Sequence, residues 1–246
     1  MVDEAKTRAY YDDFSAKYEA RRGQNVPRGY HDLLDHLESE TVERYGRHKD
    51  VLEVGCGTGL ILERIRHFAA HAEGIDLSPG MLEKARARGL TVREGSATAL
   101  PYEDESFDVT CSFKVLAHVP EIEKALAEMA RVTRPSGYVI AEFYNPRSLR
   151  GLLRNLGPAR KIGREHKESD VLTRFDPPER ARALAPPGTT FIASRGVRIF
   201  TPTAALVDHR LTGPLLYRAE CWAADSIFRG FAGFYIAIYQ KDRKAA

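Results

Sequence analysis

Three glycines alternate with other residues at 55, 57 and 59 in the stretch VLEVGCGTGL, residues 51–60. Val51, Leu52 and Val54 form an apolar run before them, and Ile61, Leu62, Ile65 and Phe68 follow at helical spacing. A strand, a glycine turn and a helix in that order leave backbone without Cβ atoms at the carboxyl end of a strand, where a small ligand can approach closely. The dinucleotide pattern G-x-G-x-x-G would need its third glycine at position 60, which is Leu60, so a nicotinamide or flavin ligand is the weaker reading. Asp76 ends the next apolar run, where a carboxylate can accept hydrogen bonds from both hydroxyls of a ribose; the plainer reading is an aspartate at a helix start. Leu77 and Met81 follow it and can flank an adenine ring, with Ser96 and Ala97 as the opposite wall, or each can simply pack in the core. Cys56, inside the turn, reads as a small filler and not as a nucleophile. His67 and His71 have the i, i+4 spacing of a helical zinc pair, but no third ligand stands nearby, and no metal site is expected.

These groups need elements to hold them. Strands are expected at 51–54, 72–77, 90–94, 107–115 and 138–144, with Pro135 and Gly137 marking the turn into the fifth. Ser78 reads as an N-cap with Pro79 at the first helical position, and Gly89 closes that helix. Ile122, Ala125, Leu126 and Met129 repeat at helical spacing, so one face of that helix packs on a sheet. Alternating strands and helices imply an α/β, Rossmann-like, doubly wound and mostly parallel sheet. Residues 191–200 and 231–240 complete seven strands. Helices are expected within 5–45, and the segments 145–176 and 203–229 are expected to form a helical lid on a single domain spanning 1–246. Trp222 and Phe228 are assigned to core packing, since large aromatics mostly supply buried area.

Composition narrows the class. The 246 residues are 43% hydrophobic, enough for a sizeable core, yet no run approaches the roughly 20 apolar residues of a membrane span. The N-terminus has no apolar signal core, so a cytoplasmic protein is expected, as monomer or homodimer. The three cysteines are far apart and read as free thiols. Residues 1–146 carry 19 basic and 25 acidic side chains, a balance of 19 − 25 = −6; residues 147–246 carry 18 and 9, a balance of 18 − 9 = +9. A basic C-terminal part can attract an anionic small molecule, nucleic acid or acidic lipid, or be a solvated arginine-rich surface.

Four segments taken in order, VLEVGCGTGL, GIDLSPGML, GSATALPYEDESFDV and VLAHVPEIEKALAEMARVTRPSGYVI, resemble the successive motifs of class I S-adenosylmethionine-dependent methyltransferases. Within them the chain is most similar to the subgroup that includes the ubiquinone and menaquinone biosynthesis enzymes, whose N-terminal segments resemble YYDDFSAKYEARRG. The resemblance covers residues 5–145 and speaks to fold and cofactor, not to the acceptor. It implies S-adenosyl-L-methionine as cofactor, with Glu53, Gly55, Gly57 and Gly59 around its methionine part, Asp76 on the ribose, and Leu77, Met81, Ser96 and Ala97 around adenine; Cys56, within the turn, joins the cofactor-binding set. The family frequently has aspartate where this chain has Ser96. Phe113 and Lys114 would border the transferred methyl. Tyr10, Tyr11 and Tyr18 can form part of a lid, with Tyr18 among the cofactor-binding candidates; the plainer reading is ordinary helix packing.

Methyl transfer from an activated sulfonium needs alignment above all, and a base only for an acceptor that must lose a proton. His118, after the fourth strand, is the candidate base, although histidines in this L-x-H-V setting often pack structurally. Acceptor recognition is expected outside the shared core. Residues 147–174 hold eight basic against three acidic side chains, so Arg147, Arg150 and Arg154 are candidates for binding an anionic small molecule. An RNA methyltransferase is the alternative enzyme, without a recognisable RNA-binding module; a non-catalytic S-adenosylmethionine-binding protein is the alternative of another class.

Overall fold

The computed structural model describes residues 4–21, 28–148 and 172–243. In chain order the helices are α1 (Glu4–Arg21), α2 (Tyr30–Gly46), α3 (Leu60–Ile65), α4 (Pro79–Ala87), α5 (Ile122–Val132), α6 (Pro178–Ala183), α7 (Ala204–Asp208) and α8 (Gly213–Ala223). The strands are β1 (Asp50–Val54), β2 (His71–Asp76), β3 (Thr91–Glu94), β4 (Phe107–Ser112), β5 (Thr133–Tyr144), β6 (Thr189–Val197) and β7 (Phe234–Lys241). They form one seven-stranded sheet in the order β3-β2-β1-β4-β5-β7-β6. The first five strands run parallel, whereas β7 pairs antiparallel with both β5 and β6. The strand order reverses between β1 and β4, and a doubly wound sheet opens a cleft at the carboxyl ends there.

Alternation along β1 shows how both sheet faces are covered. Val51 packs with Leu33, Leu37, Val42 and Ile65 on the α2 and α3 side, while Leu52 and Val54 pack with Leu126, Met129 and Ala181 on the α5 and α6 side. Strands buried on both faces read as nearly continuous apolar runs, which is why β1 is legible in sequence. At α4 the Ser78 hydroxyl accepts the Met81 amide at 3.2 Å, with Pro79 at the first helical position.

Several boundaries differ from expectation. β5 begins at Thr133, before Pro135 and Gly137, because the pairing shifts register between Phe107 and Val109; such a bulge carries a proline that donates no ladder bond. Residues 203–229 are not one helix: His209–Thr212 separate α7 from α8, and a 3-10 turn occupies Ile227–Phe231. The assignment of Trp222 and Phe228 to the core is overturned, since both are exposed. The inner face of α8 is held instead by the buried Glu220 carboxylate, which accepts the amides of Ile199 and Phe200 and the Thr201 hydroxyl at 2.7–2.8 Å. Cys56, Cys111 and Cys221 are free thiols. Among the described residues no helix is long and apolar enough to cross a membrane.

Candidate functional site

The end of β1 is stitched to β2 by the amides of Gly55 and Cys56, which both donate to the Ile75 carbonyl at 2.7 and 3.0 Å. Gly57 then takes a φ of 55°, and a Cβ there would meet no atom within 4 Å, so the turn presents open backbone. Its amide donates to Asp76 Oδ2 at 2.8 Å, while the Ser78 amide donates to Oδ1 at 2.9 Å. The carboxylate is thus fixed on both oxygens, each with a further lone pair for a ligand. Burial raises the Asp76 pKa, against the lowering by the amides of Ser78, Gly57 and Leu77.

Gly55, Cys56, Gly57, Asp76, Leu77, Met81, Ser96 and Ala97 line a cavity of about 1410 Å³, together with Tyr18, Glu53, Phe113, Lys114 and His118. Gly59 does not line it. At φ 84° its Cβ position would lie 2.3 Å from Leu90 Cδ1 and 3.2 Å from Ala85 Cβ, so this glycine lets α3 start against α4. The Ser96 hydroxyl is engaged locally, accepting the Thr98 amide at 3.2 Å.

Beneath the turn lies a group of buried charges. Lys114 has a φ of 60°, and its amide donates to Glu142 Oε1 at 3.1 Å. Its ammonium lies 2.7 Å from Glu38 Oε1 and 3.9 Å from Asp35 Oδ1. Burial alone would discharge this lysine, but Glu38, Glu142 and Asp35 push its pKa upward and keep it charged. Glu53 and Glu142 are raised well above the carboxylate range, by burial first and then by Glu38. Glu53 Oε2 is buried without a hydrogen-bond partner among the described residues, and Glu53 lines the cavity. An unsatisfied carboxyl oxygen there suits a ligand that donates, such as an amine.

The far end of the cavity is aromatic. His118 ends a 3-10 turn after β4, and its Nδ1 lies 2.8 Å from the Leu172 carbonyl. A carbonyl only accepts, so Nδ1 carries the hydrogen and Nε2 keeps a lone pair. Burial lowers the His118 pKa more than the Leu172 bond raises it, which keeps the ring neutral. The imidazole makes edge contacts with Tyr11 and Tyr144 at 6.3 and 5.8 Å, and Tyr144 in turn meets Phe234 at 5.2 Å and Phe175 at 6.1 Å. Tyr144, Phe175 and Phe234 were not singled out from sequence, because they come from β5, the segment before α6 and β7 and meet only after the sheet closes.

Helix α1 is brought to this cavity by a contact that no local pattern announces. Asp12 Oδ1 accepts the Ser78 hydroxyl at 2.5 Å and the Gly80 amide at 3.0 Å, at the amino end of α4. Lys84 donates to the Ser15 carbonyl, and Arg8 pairs with Glu94 at 2.6 Å. Tyr10, Tyr11 and Tyr18 thereby join the cavity wall. Arg147 turns elsewhere: its guanidinium pairs with Glu179 at 2.6 Å on the surface and is not part of the wall. Arg150 and Arg154 lie outside the described residues.

Residues 52–141 match a family described as "Methyltransferase domain". The chain is 42% identical over 120 residues to a demethylmenaquinone methyltransferase of Renibacterium salmoninarum, covering 47% of each protein. It is 33% identical over 151 residues to a malonyl-[acyl-carrier protein] O-methyltransferase of Halorhodospira halophila, covering 56% of this chain and 49% of that one. The chain spans about half the length of these curated relatives. A Thermotoga maritima structure, described as an S-adenosylmethionine-dependent methyltransferase and possible histamine N-methyltransferase, superposes with a TM-score of 0.67 at 22% identity, covering 94% of this chain and 98% of that one. That likeness speaks to the fold, and it extends through the antiparallel end of the sheet. The glycine turn, the fixed Asp76 and the family match all fall on the same strands: the segment from β1 into β5 matches the methyltransferase domain family and is folded as a Rossmann-like sheet.

Proposed function

We propose that the chain transfers the methyl group of S-adenosylmethionine to a small-molecule acceptor held at the aromatic end of the cavity. The observation that carries this reading is the continuity of one cavity from Gly57 and Asp76 to His118, Tyr144 and Phe234. The cofactor, when bound, supplies a methyl on a sulfonium, ready for in-line displacement. The residues present fit it: Gly57 offers open backbone, Asp76 has acceptor capacity for ribose hydroxyls, and Glu53 Oε2 offers an acceptor for an amine. Neutral His118 is suited to take a proton from the acceptor at Nε2 while Leu172 fixes its tautomer.

An aromatic acceptor of the quinol type suits the wall of Tyr11, Tyr144, Phe175 and Phe234, and the demethylmenaquinone methyltransferases among the relatives support this choice. A second reading gives the acceptor an anionic group; it rests on the eight basic against three acidic side chains that the sequence carries over residues 147–174.

Calorimetry with S-adenosylmethionine, S-adenosylhomocysteine and NAD tests the cofactor; preferential NAD binding would overturn the assignment. Acceptor-dependent release of S-adenosylhomocysteine with reduced naphthoquinones and with carboxylated phenols then separates the two acceptor readings. Cofactor binding without turnover on any acceptor would point to a non-catalytic binding protein.

A further inference from the structure

We infer that the outward face of α8, with the 3-10 turn after it, docks on an anionic lipid surface. Leu211, Leu215, Trp222 and Ile227 are 69%, 69%, 66% and 84% exposed, and Phe228 is 37% exposed with its ring 6.2 Å from that of Trp222. Leu215, Arg218 and Trp222 succeed one another at spacings of three and four on the helix, so they share one face. A helix normally turns such a stripe inward; here the inward side is occupied by Glu220 and Ala223. Large exposed apolar side chains beside a tryptophan are the composition of a helix lying in a membrane interface.

Charge selects the occupant. Arg210 and Arg218 are exposed and make no ion pair among the described residues. Of the acidic groups in the same segment, Glu220 is buried on three donors and Asp225 pairs with Arg44 and Arg195 at 2.8 and 2.9 Å, while Asp208, outside α8, accepts the Tyr30 amide at 2.8 Å. The outward face of α8 is therefore apolar and carries the cation Arg218, with no carboxylate of α8 on that side to oppose it. A second copy of the chain, packed face to face by twofold symmetry, would oppose these arginines with their own equivalents. Anionic headgroups satisfy them while the aliphatic and aromatic side chains enter the acyl boundary. The surface also adjoins the cavity, since Phe228 meets Phe200 at 5.8 Å, and Gly233 and Phe234, which follow the 3-10 turn, line the cavity.

Trp222 is the chain's single tryptophan, so its fluorescence reports directly on this face. Purified full chain mixed with phosphatidylglycerol–phosphatidylcholine vesicles is expected to co-sediment, with a blue-shifted emission that salt reverses. Pure phosphatidylcholine vesicles are expected to bind weakly. Arg218→Gln should weaken anionic-vesicle binding by about fivefold, and Ile227→Ser by about tenfold, both with unchanged circular dichroism and thermal midpoint. The inference falls if emission does not shift with anionic vesicles, if neutral vesicles bind equally well, or if neither substitution weakens binding. A blue shift that depends on protein concentration alone, with a dimer by light scattering, assigns the face to self-association and equally overturns it. None of these readouts depends on methyl transfer or on the acceptor.

Discussion

At the glycine end the cavity is walled by Gly55, Cys56, Gly57, Asp76 and Leu77, which come from two neighbouring βα turns held by backbone amides that donate to the Ile75 carbonyl and the Asp76 carboxylate at 2.7–3.0 Å. At the aromatic end Tyr11, His118, Tyr144, Phe175 and Phe234 come from five separate segments and touch only through their rings. Backbone geometry defines the first wall, so it tolerates little change; side-chain shape defines the second, so it can be retuned residue by residue. A shared cofactor and a variable acceptor would require that division.

If the two ends are separable, variants should divide cleanly between turnover and cofactor binding. The largest effect is expected at His118: the Gln variant should lose roughly a hundred- to ten-thousand-fold in kcat on a proton-bearing acceptor, as for removal of a general base, while calorimetric affinity for S-adenosylmethionine stays unchanged. The same residue sets a pH limb. Because burial lowers its pKa and the neutral ring is the active form, the wild-type rate should fall with acidification only below the ordinary histidine value of 6.5, and His118→Gln should abolish that limb. Comparable loss of cofactor affinity in this variant would break the comparison.

Gly59 tests the glycine end from behind. Gly59→Ala combines the left-handed backbone with the Leu90 contact and should destabilise the protein by about 2–5 kcal/mol in denaturant titration. Asp76→Ala should weaken cofactor binding by about 1.5–3 kcal/mol, if two hydrogen bonds to a charged acceptor are lost. Wild-type affinity in a folded Asp76→Ala protein would remove the ribose contact from the site. Phe234→Ala should raise KM for an aromatic acceptor by an amount equivalent to about 0.5–1.5 kcal/mol, with cofactor affinity unchanged. Smallest of all, Arg147→Ala should change neither KM nor stability by more than about 1 kcal/mol, because its partner Glu179 shares an exposed surface.

The difference in construction also explains what could be read from the residues alone. The β1 turn, Asp76 and the Ser78–Pro79 helix start each encode their geometry within a few positions, so glycine spacing and capping patterns disclose them. Asp12 was not legible: an aspartate in a tyrosine-rich helix carries no sign that it will meet Ser78, 66 positions later. Tyr144 and Phe234 likewise read as ordinary strand aromatics until β7 enters beside β5. Trp222 was misassigned for the opposite reason, since bulk predicts burial, and Glu220 two positions earlier holds the inner side of its helix instead.

The position of β7 between β5 and β6 bears on how the protein is made. β6 leaves the ribosome before its neighbour and pairs with no other strand of the sheet, so its hydrogen-bonding edge stays unsatisfied until β7 follows. From Thr189 to Lys241 the interval is 241 − 189 = 52 residues, on the order of 3–10 s of synthesis at 5–20 residues per second. During that interval the parallel half can fold around β1 to β5 and offer its glycine turn to a nucleoside, while Phe234 has yet to arrive. Nascent chains should accordingly acquire a cofactor pocket before an acceptor pocket, with the edge of β6 as the surface most in need of a chaperone.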